Sequence, residues 1–391
     1  MTATDHHRPR TPAMASRLPT VGTNIFTLMS ALAQAHGAVN LGQGFPDFGC
    51  DPALRRHVSD AMAEDLNQYP PMAGVPALRQ RTAAKIHALY GALYDADSEI
   101  TITAGATQAL MTAVLCCVGQ GDEVIVLEPC YDGYGPAIEL AGGRVVRVAL
   151  TPGRFRPDFA RIAAAITART RLMVINSPHN PTATVWTAAE MQQLADLLAP
   201  TEVLLLSDEV YEHMVFDGAP HISVSSLPAL AARSFVVSSF GKTFHVTGWK
   251  VGTVAAPVPL TTEFRKVHQF NVFTVNTPMQ HGLARYMADP DPYLLLSAFY
   301  QRKRDLFRAG LAPTRLRLLP SQGSYFQVVD YSAVSALPEV DFCEWLTSEI
   351  GVAAIPVSAF YACGFQQGLA RLCFAKRDET LEAAMQRLRR L

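Results

Sequence analysis

Between residues 100 and 256, short runs of β-branched and apolar residues alternate with stretches of helical character, and this alternation narrows the choice of fold more than anything else in the chain. The runs are ITIT (100–103), EVIVL (123–127), RVVRVAL (144–150), RLMVIN (171–176), VLLLS (203–207), SFVVSS (234–239) and KVGTVAA (250–256). Several are apolar on both faces, as a sheet covered by helices on each side requires, and strand–helix alternation marks parallel strands joined by right-handed crossovers. An α/β fold is therefore expected, with a large domain over residues 51–290 built on a mostly parallel seven-stranded sheet. After Pro290 the pattern changes. A helical stretch from Tyr293 to about Leu311, then YFQVVD (325–330), a helix around Phe342–Ile350, VAAIPV (352–357) and LARLCFA (369–375) predict a smaller α+β domain over 291–391. Residues 1–50 read as an N-terminal arm and the start of that small domain. The first 20 or so residues are polar and Pro-rich, as in a loose arm, and a helix follows from Asn24 to His36 behind a Thr/Asn cap. LGQGFPDF (41–48) is turn chemistry, Ala53–Glu64 and Val75–Tyr90 read as helices, and Gly91–Ser98 reads as a loop.

Bulk properties agree with a two-domain enzyme-sized protein. At 391 residues the chain exceeds the roughly 250–300 residues at which single cores stop growing. The 33 basic and 34 acidic residues nearly cancel, so there is no net field for nucleic acid or an anionic membrane, and small-molecule partners are expected. None of the seven cysteines forms a C-x-x-C pair, which argues against a zinc or dithiol site and for buried free thiols. No apolar run reaches the roughly 18 residues of a membrane span, and MTATDHHRPRTPAM lacks the apolar core of a secretion signal. A cytoplasmic location is the expectation.

In an open α/β sheet the functional residues gather just past the carboxyl ends of the strands. That rule selects five loops: AGATQ after ITIT, EPCYDGY after EVIVL, SPHNPT after RLMVIN, DEVYEH after VLLLS, and FGKTFHVTGWK after SFVVSS. Ala104–Gln108 offers small residues and a hydroxyl at a strand-to-helix junction, where N–H groups and the helix dipole suit a phosphate. Ser239, Lys242 and Lys250 add a hydroxyl and two cations. GKT also ends the P-loop of nucleotide-hydrolysing enzymes, but that motif needs a glycine where Val236 stands, inside a strand, and the acidic strand VLLLSDE precedes it in the wrong order. One cofactor calls on all five loops. Pyridoxal 5′-phosphate (PLP) has a phosphate, a pyridine nitrogen, a phenolic oxygen and an aldehyde, each asking for a different protein group. Asp208, at the end of an apolar strand, is placed to face the ring nitrogen, and that pyridinium is the cation a buried carboxylate needs.

At these residues the chain resembles the fold-type I, class I/II PLP-dependent aminotransferases, and within them the bacterial methionine aminotransferase and kynurenine/glutamine transaminase subgroup. The matching segments are VNLGQGFPDF (39–48), NQYPPMAGVPALR (67–79), TAGATQAL (103–110), SPHNPTATVW (177–186), SDEVYEHM (207–214), SSFGKTFHVTGWKVG (238–252), FTVNTPMQ (273–280) and ARLCFAK (370–376). The resemblance implies that Lys242 is the Schiff-base lysine and moves the substrate proton, with Asp208 and Tyr211 completing the catalytic set. It implies a phosphate cup of Gly105, Ala106, Thr107, Ser239 and Lys250, with Tyr131 stacked on the ring, and Asn180 and Tyr211 on the phenolic oxygen, Asn180 also binding the substrate. Arg371 would clamp the substrate carboxylate through two parallel bonds, and Gly44 would let the backbone approach it. A homodimer with shared active sites is also implied, Tyr69 reaching the other subunit's phosphate.

The resemblance further implies that HQFNVFTVNT (268–277) reaches across the dimer. It has neither arginine nor lysine, and with Phe273, Thr274 and Phe26 the side-chain pocket should be apolar and aromatic. Methionine and aromatic amino acids fit best, with broad specificity, because apolar pockets discriminate weakly. A PLP-dependent C–S β-lyase would keep the same residues and is the alternative. A transcription regulator would need an added DNA-binding module, for which the arm before Asn24 is too short.

Overall fold

The computed structural model describes residues 14–391. Much of the expected N-terminal arm lies outside them. Seven strands form one sheet: β2 (Ile100–Thr103), β3 (Glu123–Glu128), β4 (Arg144–Ala149), β5 (Thr170–Asn176), β6 (Leu204–Asp208), β7 (Ser234–Ser239) and β8 (Gly252–Ala255), in the order β2-β8-β7-β6-β5-β3-β4. The pairs β4·β3, β3·β5, β5·β6 and β6·β7 are parallel. Strand β8 runs antiparallel to both β7 and β2.

Both faces of this sheet are covered, and the two-residue period shows how. Val124, Val126, Leu172, Val174, Leu206, Phe235 and Val237 belong to one apolar cluster, with Ala109, Leu110, Ala113 and Val114 of the helix Gly105–Cys117. Their alternate neighbours Ile125, Leu127, Met173, Ile175, Leu205 and Val236 belong to another, with Met191, Leu194, Ala195 and Leu198 of the helix Ala188–Leu198. Alternate side chains of a strand point to opposite faces, so this division is the signature of a doubly covered sheet. At the edge, β4 has exposed residues at Arg144, Arg147 and Ala149.

The C-terminal part carries a second, antiparallel sheet of β9 (Arg317–Leu318), β10 (Phe326–Asp330), β12 (Ile355–Pro356) and β13 (Leu369–Cys373), ordered β12-β13-β10-β9. Strand β1 (Val39–Asn40) pairs in parallel with β11 (Val352–Ala353), and Cys373 N–H donates to Leu41 O at 2.7 Å. These bonds carry the turn at 41–48 over to β13.

Several local expectations change. The Tyr293–Leu311 stretch breaks at Leu295 into Asp291–Leu294 and Leu296–Leu311. The helix expected around Phe342–Ile350 is an α-helix, Glu339–Trp345, followed by a π-helical turn, Leu346–Ile350. Lys250 falls outside β8, in a left-handed conformation with φ of 53°. Of the seven free thiols, only Cys343 and Cys373 are fully buried, and Cys363 is exposed on a loop. Among the described residues no cluster could hold a metal ion, and no helix is long and apolar enough to cross a membrane.

Candidate active site

The five loops converge past the carboxyl ends of the strands. A cavity of about 180 Å³ is lined by Gly105, Ala106 and Thr107 after β2, Tyr131 after β3, Asn180 after β5, Asp208 and Tyr211 at the end of β6, and Ser239, Lys242 and Lys250 after β7. Asn176, Val210 and Thr247 line it too, none of which had been singled out from sequence.

Lys242 sits on the short helix Phe240–Thr243, capped by Ser239, whose Oγ accepts the Lys242 N–H at 3.2 Å. Its Nζ donates to Tyr325 Oη at 2.8 Å and to Gly44 O at 3.2 Å. Burial disfavours the ammonium and lowers the pKa to about 8, with Arg371 and Lys250 pushing the same way. An amine so tuned is neutral in a useful fraction near neutrality, as a nucleophile and base must be.

Asp208 is 4 % exposed. Burial raises its pKa to about 6, although Tyr134 Oη donates to Oδ2 at 2.6 Å. Asn176 Nδ2 donates to the Asp208 carbonyl at 2.8 Å, fixing the end of β6. Tyr134 lies within the EPCYDGY loop, but nothing in the sequence pairs it with Asp208.

In the DEVYEH loop Glu212 accepts from Lys85 Nζ at 2.5 Å, from Tyr90 Oη at 2.6 Å and from Ser238 Oγ. Burial opposes its ionisation, yet Lys85 and these hydrogen bonds hold the carboxyl well below the usual range. Because Ser238 precedes Ser239, the network joins the Asp208–Tyr211 loop to the strand that presents Lys242.

The phosphate-cup candidates are tightly fitted. Gly105 opens its helix at φ of +75°, and a Cβ there would meet the Lys250 Cε and Nζ at 3.3 Å. A Cβ at Gly252 would lie 3.0 Å from Ala106 N. Only glycine permits this approach of backbone, helix N-terminus and lysine, and together they suit a dianion.

Arg371, on β13, is 1 % exposed. Its guanidinium lies 4.0 Å from the ring centroid of Phe326, 4.9 Å from Phe360 and 5.2 Å from Phe26. Nη1 donates to Asn180 Oδ1 at 2.6 Å and Nη2 to Gly42 O at 2.9 Å, while the buried Nε has no hydrogen-bond partner among the described residues. Gly42 supplies the carbonyl beside Arg371. Gly44 turns its carbonyl to Lys242 instead, and a Cβ on it would lie 3.0 Å from Phe326 Cζ. Asn180 accepts from Arg371 on Oδ1, and its Nδ2 is the donor that a phenolic oxygen would need.

Of the expected residues that do not line the cavity, Gly44 and Arg371 touch its wall through Lys242 and Asn180, and Phe26 packs on Arg371, whereas Tyr69 and Phe273 are not brought to it within one chain. Tyr69 is 80 % exposed and packs edge-on against Phe273 at 5.3 Å.

The residues present fit PLP on these observations: a buried carboxyl without a strong cation partner, a cup that a Cβ would fill, an amine facing the cavity, and an unpaired guanidinium nitrogen. Comparisons point the same way. The family model described as aminotransferase class I and II matches residues 36–388. Methionine aminotransferase of Escherichia coli K12 is 53 % identical over 377 residues, covering 96 % of this chain and 98 % of the relative. Human kynurenine–oxoglutarate transaminase 1 is 35 % identical, covering 96 % and 97 %. A solved structure from E. coli, identified as having a methionine aminotransferase function, superposes with a TM-score of 0.96 at 53 % identity, covering 97 % of this chain and all of that one.

Proposed function

Because the chain belongs to the class I and II aminotransferase family, we propose that it transfers the amino group of methionine, or of another apolar or aromatic amino acid, to a 2-oxo acid by a ping-pong scheme with PLP as cofactor. The observation that carries the reading is that Lys242, Asp208 and Lys250 line one cavity, with Arg371 joined to its wall through Asn180.

Bound PLP supplies an electron sink that makes the substrate Cα–H bond acidic. Every other requirement falls to side chains of this protein. Lys242 would hold the cofactor, and its free amine would take and return the proton at the substrate Cα. Asp208 would face the ring nitrogen with a buried negative charge and keep it protonated. Lys250, Ser239 and the N–H groups of Gly105, Ala106 and Thr107 hold the phosphate. Tyr131 would cover the cofactor ring, and Tyr211 and Asn180 would hydrogen-bond its phenolic oxygen. Arg371, packed against Phe326, Phe360 and Phe26, would receive the substrate carboxylate.

The methionine preference is supported by the 53 % identity to the E. coli enzyme and by the absence of any cationic residue from 269–277. A homodimer is supported by Phe270 (86 % exposed), Tyr69 and Phe273, an aromatic group that a lone chain would leave in water; in the dimer Tyr69 would reach the partner copy's phosphate. The test is product analysis with methionine and a panel of 2-oxo acids. Formation of the matching amino acid and the methionine-derived oxo acid supports the proposal. Release of pyruvate and ammonia from a cysteine conjugate, with no transfer, would identify a β-lyase and refute it.

A further inference from the structure

The hydroxyl of Tyr325 is the nearest polar side-chain partner of Lys242, and no motif accounts for it. Tyr325 is fully buried, at the residue before β10. Its ring stands edge-on to Tyr211 at 5.0 Å and 82°, and lies 4.9 Å from Phe326 and 5.8 Å from Tyr300. Packed on three aromatic neighbours, the ring has one place to put its oxygen. Tyr325 Oη donates its proton to Gly44 O, so the oxygen faces Lys242 as an acceptor, 2.8 Å from Nζ. Lys242 Nζ also donates to the same Gly44 carbonyl at 3.2 Å. The three groups close a triangle of hydrogen bonds.

A neutral amine has two N–H bonds and one lone pair. When both N–H bonds are engaged on one wall, the lone pair is left facing away from that wall. We infer that Tyr325 is a positioning residue for Lys242: with the Gly44 carbonyl it fixes both N–H bonds of the free amine and so aims the lone pair into the cavity. The inference rests on the reading of Lys242 as the proton-transferring lysine. Gly44 belongs to the turn tied to β13 and Tyr325 to the start of β10, so the C-terminal sheet, and not the sheet that carries Lys242, sets the direction of the base.

Tyr325→Phe deletes one oxygen and keeps the ring packing. The other ionisable groups around Lys242 are Cys373, Arg371, Asp208 and Lys250, and the Tyr325 hydroxyl also shares a hydrogen bond with Tyr211, so Tyr211→Phe is the control that separates loss of that bond from loss of the bond to Lys242. In the full-length chain freed of cofactor, the pH dependence of Lys242 acetylation, read by peptide mass spectrometry against wild type, reports the amine directly. Loss of an acceptor for the ammonium should lower its labelling pKa. In the holoenzyme, the single-turnover rate with methionine should fall roughly tenfold, the worth of one hydrogen bond to a charged group, with methionine affinity within about twofold. If Y325F fails to fold, 3-fluorotyrosine at 325 keeps the ring and weakens the acceptor, and must shift the labelling pKa the same way. An unchanged labelling pKa, or an unchanged single-turnover rate, overturns the role of Tyr325. The parent reading fails separately: Lys242→Ala retaining full turnover would refute it, whereas an inactive K242A beside a wild-type-like Y325F removes only the inference about Tyr325.

Discussion

A buried carboxyl that lacks a cation is uncomfortable, and Asp208 is one in the chain without cofactor. Its pKa rises from 3.8 to about 6 through burial. For a group with a raised folded pKa, the associated stability is fully present below the unfolded pKa and is lost as pH rises through the folded one, here about 3 kcal/mol between pH 4 and 7. In cofactor-free protein, Asp208→Asn should therefore gain on wild type over that range, read as the difference in Tm; in the holoenzyme it should lose about 10²–10³-fold in turnover, because a buried ion pair is broken. Arg371→Lys should reduce kcat/KM for methionine about 10–100-fold in steady-state assays, mostly through KM, since lysine cannot make two parallel bonds to a carboxylate. At this scale the sequence was informative where chemistry is local. Lys242, Lys250 and Asp208 stand in short segments whose spacing carries meaning. Tyr134 meets Asp208 across 74 residues and Tyr325 meets Gly44 across 281, and no spacing rule reaches that far.

Among elements, all seven strands of the large sheet were legible because each is a compact β-branched or apolar run between turns. The direction of β8 was not, since apolar periodicity is the same for a strand run either way; its antiparallel course appears only in its pairing with β2 and β7. Nor did the sequence reveal that the helix Pro76–Tyr90 braces the catalytic loop through Lys85 and Glu212, whose side chains are 6 % and 3 % exposed. Lys85→Met strands a buried carboxylate and should cost about 3–5 kcal/mol in denaturant unfolding, whereas Lys85→Met with Glu212→Gln should recover much of that loss. The pair's contribution should fade on acidification. Glu212 has a depressed folded pKa, so its stabilisation is present above the ordinary carboxylate range and is lost as pH falls below it.

At the scale of the whole molecule, the proposed dimer makes a prediction of its own. Phe270, Tyr69 and Phe273 are exposed near the segment that the proposed dimer would share, and charges there should separate it. Phe270→Asp with Phe273→Asp is expected to sediment as a monomer and to lose turnover with the shared sites, while wild type sediments as a dimer; a monomeric, fully active wild type would contradict this. The large sheet and the C-terminal sheet meet at the cavity where Lys242 bonds Tyr325 and Gly44, whose turn is tied to β13 through Leu41, so both are needed to build one site. That the site holds PLP on Lys242 and accepts methionine is read most directly in the visible spectrum of the purified protein. It should be yellow, should bleach when methionine is added without an oxo acid, and should regain colour when one is supplied. A colourless protein that added PLP does not turn yellow, or a yellow one that methionine leaves unchanged, would contradict it.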